Sequence, residues 1–184
     1  NLASNETPNE FLKSYFTDLD TPEAQVGEAT SRIPIIPLIV SPHSWSVLDA
    51  NVSIFSPRVE SQASCLGLYN RYQALRNESR GDWFTLVADS GKVLGISSAV
   101  HVEGKRFQVD GFCHESCAGM FGELIQTAIS WCSDQGATQI IARLSSMDEE
   151  KQSLFESVGF HEQRLDGTFE HGTQKVDGVV YLLG

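Results

Sequence analysis

The sequence is poor in basic residues, in cysteine and in long apolar runs, and each shortage excludes a class of protein. Lys and Arg number 13 against 24 Asp and Glu, for a formal charge of −11. Lys105-Arg106 is the single adjacent basic pair, so the clustered cations that grip a nucleic-acid backbone are missing and no nucleic-acid partner is expected. The four cysteines, Cys65, Cys113, Cys117 and Cys132, include no Cys-x-x-Cys pair. Their spacing resembles no zinc site, and they do not make a disulfide framework in 184 residues. Reduced thiols and a cytoplasmic location are the expectation. The longest apolar run, Ile33–Val40, is broken by Pro34 and Pro37. It falls well short of the roughly 20 residues that a membrane span needs, so no membrane partner is expected. The first residues carry no basic stretch, and no signal peptide is expected in them.

With 41% hydrophobic and 20% charged residues, the composition is that of a folded globular protein. The length supports a core without metal or disulfides. Residues 1–30 read as an N-terminal helix and linker extension. Thr7-Pro8 ahead of Phe11, Leu12, Tyr15 and Phe16 predicts a capped helix, and 18–31 reads as linker. Residues 31–184 read as one domain. In it, Ile33–Val40 predicts an edge strand and 44–51 a short helix. Residues 60–76, with Leu66, Leu68, Tyr69, Tyr72 and Leu75, predict a longer helix. A meander follows: Trp83–Ala88, Val93–Val102 and Arg106–Cys113, with turns at 89–92 and 103–105. Phe121, Leu124, Ile125, Ala128, Ile129 and Cys132 make one apolar helical stripe, closed by Gly136. Thr138–Leu144 predicts a strand. Asp148 predicts the cap of a helix over 149–157 that Gly159 ends. Phe160–Gln163 and Val176–Leu183 predict two last strands around a polar loop. The order predicts the α/β class, a mixed and mostly antiparallel central sheet with one parallel strand–helix–strand step.

Three segments carry a family likeness. Leu124-Ile-Gln-Thr-Ala-Ile-Ser-Trp-Cys-Ser-Asp-Gln-Gly-Ala-Thr138 is a helix ending in an aromatic and a small residue before Gly-Ala-Thr. Asp148-Glu-Glu-Lys-Gln-Ser-Leu-Phe-Glu-Ser-Val-Gly-Phe160 closes on Gly-Phe. The tail holds Gly167, Phe169, His171-Gly172 and Asp177-Gly-Val-Val-Tyr181. In these segments the chain resembles the GNAT superfamily of acyl-CoA-dependent N-acetyltransferases. The resemblance implies a GNAT-like acyltransferase fold with acetyl-CoA, or another acyl-CoA, as cofactor. It also implies a small-molecule or peptide amine as acceptor, attacking the thioester directly in a ternary complex. The family's pyrophosphate loop falls on Ser116, Cys117, Ala118, Gly119, Met120 and Phe121. Gly119 fits its pattern, whereas Ser116 and Phe121 depart from it; a one-residue shift brings Gly122 to the last position. Asp148 stands where the family usually has Asn. Phe155 stands where it often has the Tyr that protonates the leaving thiolate.

These positions define the candidate site. Backbone N–H groups of Gly119, Met120 and Gly122 would face a pyrophosphate at a helix start, with Ser116 offering a hydroxyl. Gly111, Phe112 and Cys113 lie where backbone groups would hold the thioester oxygen and the pantetheine amides. Asp110 and His114 are the candidate acid–base groups, the imidazole because it titrates near neutrality. Their bland readings are a surface carboxylate and an exposed loop residue. Tyr181 is a substitute proton donor only if the last strands approach the thioester. Cys113, His114 and Cys117 lack a fourth ligand at sensible spacing, so no metal is expected. The charge of −11 favours a cationic acceptor. The departures at Phe121 and Phe155 favour an alternative, a catalytically inactive GNAT-like CoA-binding or regulatory module. A homodimer is left open.

Overall fold

The computed structural model describes residues 8–17, 21–55, 65–171 and 174–184. Helix α1 (Pro8–Tyr15) precedes strand β1 (Glu23–Val26), helix α2 (Ile35–Val40), the short strands β2 (Val47–Asp49) and β3 (Ile54–Phe55), and helix α3 (Cys65–Asn77). The meander is β4 (Gly81–Val87), β5 (Val93–Glu103) and β6 (Arg106–Cys113). A 3-10 turn, Glu115–Met120, leads into α4 (Phe121–Asp134), followed by β7 (Gln139–Ser145), α5 (Glu149–Ser157), β8 (Phe160–His171) and β9 (Gln174–Leu183). Seven strands form one sheet in the order β1-β4-β5-β6-β7-β9-β8. The pair β6–β7 is parallel and the other neighbours are antiparallel, which is the mixed sheet that the element order predicts.

The apolar stripe of α4 is buried along its length and packs on β4, β5 and β6. Gly95 permits that approach, since a Cβ there would lie 2.9 Å from Leu124 Cδ2. Gly136, at φ +79°, ends the helix in the left-handed conformation that glycine adopts without steric cost. On β5, Ser97 faces α4, its hydroxyl donating to Leu124 O at 3.1 Å. The alternation of strand side chains then turns Ser98 and its partner Asp110, and Ile96 and its partner Phe112, to the opposite face. There α2 packs on β5 and α3 on β4.

One detail positions everything that follows. Strands β6 and β7 pair only from Arg106–Gln139 to Gln108–Ile141. Beyond that register β7 bonds to β9 on its far side, while β6 runs on to Cys113 without β7. The C-terminal halves of the two parallel strands part and leave a splay.

Several local expectations are corrected. Ile33–Val40 contains a helix, α2, not an edge strand. Pro34 occupies its cap and Pro37 its first turn, where no intrahelical N–H is needed, and the Ser41 N–H and hydroxyl close it on Pro37 O. Glu23–Val26, read as linker, is an edge strand paired with β4. Residues 44–51 are not helical: the Asp148 carboxylate draws the Ser46 and Val47 N–H groups into extended chain, and only Ala50–Val52 winds into a 3-10 turn. Asp148 therefore makes no side-chain cap on α5. The polar loop expected after Gln163 continues the β8–β9 hairpin, paired as far as His171 and Gln174. The Thr7 cap and residues 60–64 of the predicted helix lie outside the described residues. Among the described residues no helix is long and apolar enough to cross a membrane.

Candidate active site

The splay is filled by the chain itself. Residues 45–50, a strap running between α2 and β3, lie against β6 on one side and the β7–α5 corner on the other. Ser46 N–H donates to Asp148 Oδ1 at 2.7 Å and Val47 N–H to Asp148 Oδ2 at 3.0 Å. The Ser46 hydroxyl lies 2.9 Å from both Ser145 Oγ and Asp148 Oδ1. Lys151 Nζ, on α5, donates to Val47 O at 3.1 Å and Leu48 O at 2.9 Å. On the β6 side, Ala50 N–H donates to Asp110 Oδ2 at 2.6 Å. The Trp45 indole N–H reaches Glu150 Oε2 at 3.2 Å. Its ring meets the Phe121 ring edge-on at 5.7 Å and lies 5.4 Å from Lys151 Nζ. Phe121 in turn packs on Phe155, and Phe155 on Phe160. Phe121, Phe155 and Phe160 are fully buried, as is Leu48.

An ion pair ties the strap down. Lys151 Nζ and Asp110 Oδ1 are 2.6 Å apart, and both side chains are wholly inaccessible. With Val47 O and Leu48 O as the other acceptors, all three protons of an ammonium are used. Next to this pair, Asp49 is also fully buried. Its carboxylate accepts from Tyr72 OH at 2.9 Å, from Ser98 Oγ at 2.8 Å and from Asn51 N–H at 3.0 Å. Burial first, and the neighbouring Asp110 second, push the Asp49 carboxyl up to about 7, against the opposing pull of Ser98, Lys151 and Tyr72. Burial likewise raises Asp110, despite the ammonium beside it.

The residues singled out by sequence divide between this centre and the turn ahead of α4. Asp110 is neither exposed nor at a surface; it is the acidic half of the buried ion pair. Gly111 is held bare by its neighbours, since a Cβ would lie 2.5 Å from Ile96 O. Phe112 is buried and meets His43 edge-on. Cys113 is buried and its thiol is pushed up to about 12 by burial, which leaves no thiolate nucleophile near neutrality. His114 is half-buried and stacked on Phe16 at 3.8 Å; its Nδ1 lies 2.8 Å from Ser116 Oγ, and burial lowers its pKa. Ser116, Cys117, Ala118, Gly119 and Met120 lie in the 3-10 turn. The Phe121 N–H there is already bonded to Ala118 O. Gly119 is exposed with open space around it, whereas Gly122 faces Val158. Tyr181 OH donates to Gln152 Oε1 at 3.1 Å.

Trp45, Asp49, Tyr72 and Lys151 were missed by sequence reasoning. A signal existed for one of them: Lys151 and Phe155 stand at i and i+4 on the buried stripe of α5, and a lysine on such a stripe asks for a buried acidic partner.

No family model and no curated protein matches the chain. Solved structures do. The ribosomal-protein-S5-alanine acetyltransferase from Vibrio fischeri is 14% identical over 90% of this chain and 93% of its own, with a TM-score of 0.64. A spermidine N-acetyltransferase chimera from Vibrio cholerae and hSSAT is 13% identical, covering 89% of this chain and 95% of that one, with a TM-score of 0.67. A GNAT-superfamily phosphinothricin acetyltransferase from Sinorhizobium meliloti, in complex with AcCoA, is 15% identical over 88% and 87%, with a TM-score of 0.63. At such identities the likeness defines architecture. The chain has the GNAT fold, as its sequence motifs suggest.

Proposed function

We propose that this chain is a GNAT-fold module that does not turn over acyl-CoA and acts as a binding or regulatory unit. The observation that carries this reading is the strap seated in the splay between β6 and the β7–α5 corner. The residues present do not fit an acyl-CoA there. Trp45, Val47 and Leu48 are 7%, 1% and 0% exposed, and exposing those three side chains costs about 8 kcal/mol, at roughly 25 cal/mol per Å². A ligand with micromolar affinity supplies about 8 kcal/mol in all. Evicting the strap therefore consumes the whole binding free energy, before the Asp110–Lys151 pair is disturbed.

Charge points the same way. No Lys or Arg occurs between Arg106 and Arg143, so the turn ahead of α4 and α4 itself hold no cation for phosphates. Exposed Glu115, Glu123, Glu149 and Glu150 ring the starts of that turn, α4 and α5, and they repel a polyanion. Phe155 has no proton to give.

A second reading has its own observation. The parting of β6 and β7, in a fold shared with an AcCoA-bound neighbour, favours acyl transfer from acetyl-CoA or another acyl-CoA to a small-molecule or peptide amine. That reading needs the strap to leave. A thiol-release assay with acetyl-CoA and a panel of mono-, di- and polyamines separates the two. No release above the uncatalysed rate is expected, and turnover with any amine would reverse the proposal.

A further inference from the structure

The centre under the strap is not balanced in charge. Asp49, Asp110 and Lys151 are all fully buried, and they bring two carboxyl groups to one ammonium. Lys151 is committed to Asp110 at 2.6 Å. We propose that the strap is a proton-dependent latch: it stays seated while the Asp49–Asp110 carboxyl pair holds one proton, and it loosens when that proton leaves for solvent.

Asp49 belongs to the strap, whereas Asp110 belongs to the sheet, so a second negative charge pushes the strap off the surface that holds it. The groups facing Asp49 come from three sides. The sheet contributes Ser98 and Asp110, α3 contributes Tyr72, and α5 contributes Lys151. Arg71, next to Tyr72 on α3, spends its guanidinium on Ser53 O at 2.9 Å and on Val52 O. Among the described residues no Lys or Arg bonds to Asp49. The hydroxyls of Ser98 and Tyr72 stabilise the carboxylate but do not neutralise it.

Asp49 moves from its ordinary 3.8 to about 7 in the seated state. The seated strap therefore binds more protons than the loosened one between those values. Its stability falls as pH rises from about 4 to about 7 and is level above. Over about pH 5 to pH 8 the opening equilibrium should increase about 100-fold. His43, just ahead of the strap, runs the other way: burial drives it down from 6.5 to about 4, so its contribution to stability grows with pH over that window. Global unfolding mixes the two effects; strap amides, and the difference on neutralising Asp49, separate them.

The test is amide exchange on the whole chain from about pH 5 to pH 8, with rates corrected for intrinsic exchange. Ser46, Val47 and Ala50 report the strap. In the wild type, protection of the strap should fall about 100-fold over that range. In Asp49→Asn it should stay level. A strap whose protection stays level with pH in the wild type, or an Asp49→Asn protein that keeps the wild-type slope, overturns the latch. Tyr72→Phe covers the case in which Asp49→Asn does not fold. Removing the donor to Asp49 should move the midpoint to higher pH, and a midpoint that stays or falls overturns the proposal. Neither result depends on whether acyl-CoA binds.

Discussion

Replacing Lys151 with Met tests the ion pair under the strap. Met keeps the length and most of the volume of the side chain, so packing changes little. The electrostatic loss is large. Asp110 is wholly inaccessible and 2.6 Å from Lys151 Nζ, and without the lysine the carboxylate keeps, among the described residues, the Ala50 and Gly111 N–H groups. Breaking a buried pair by removing one partner costs about 3–5 kcal/mol. Val47 O and Leu48 O lose a donor as well. Against a total stability of about 5–15 kcal/mol for a domain, the variant should remain folded but marginal. Urea unfolding near pH 7 measures it. The penalty should shrink in acid: burial already raises the Asp110 carboxyl and Lys151 opposes that rise, so without the lysine Asp110 protonates more readily. The double variant Lys151→Met/Asp110→Asn should recover most of the loss, because no uncompensated charge remains. A loss below about 1 kcal/mol in Lys151→Met would show that the pair does not hold this centre together.

Phe155→Tyr places a hydroxyl in a nest made by Phe121 and Phe160; it should cost about 1–3 kcal/mol of stability and create no thiol release, and an active variant would refute the filled-splay account. Gly119→Ala, at an exposed position with open space and no positive φ, should be neutral or stabilise by about 0.4–1 kcal/mol in urea unfolding; a loss above that range would place Gly119 in a tighter setting than the one described. His43 stays neutral well below its ordinary 6.5, down to about 4. The native state thus binds fewer protons than the unfolded chain in that interval, and the His43 contribution of about 3 kcal/mol is lost as pH falls through it. NMR titration of the imidazole checks this, and a midpoint near 6.5 would contradict it.

The meander and α4 were legible because their signals are periodic and local. The stripe from Phe121 to Cys132 needs no tertiary information, and neither do the turns at Gly91 and Gly104, both at positive φ. Ile33–Val40 was misread because six helical residues are too few for a 3.6-residue period to declare itself, and proline suits a first helical turn as well as a strand edge. The strap was not legible at all. Its extended form is imposed by Asp148, which lies 102 positions from Ser46 in sequence. The same carboxylate would otherwise read as a helix cap. The motifs that suggest the fold carry no record of what fills its splay, since Trp45 and Ser46 fall in a stretch that reads as a short helix until Phe121 and Ser145 stand beside them.

The most direct test of the filled splay is calorimetric titration of acetyl-CoA into the whole chain near pH 7. With the strap in place, no saturable heat is expected up to about 1 mM ligand, where a binding free energy of about 4 kcal/mol would already register. Stoichiometric binding with micromolar affinity would contradict the account, because the Trp45–Ala50 strap would then yield at a cost far below the one its burial implies.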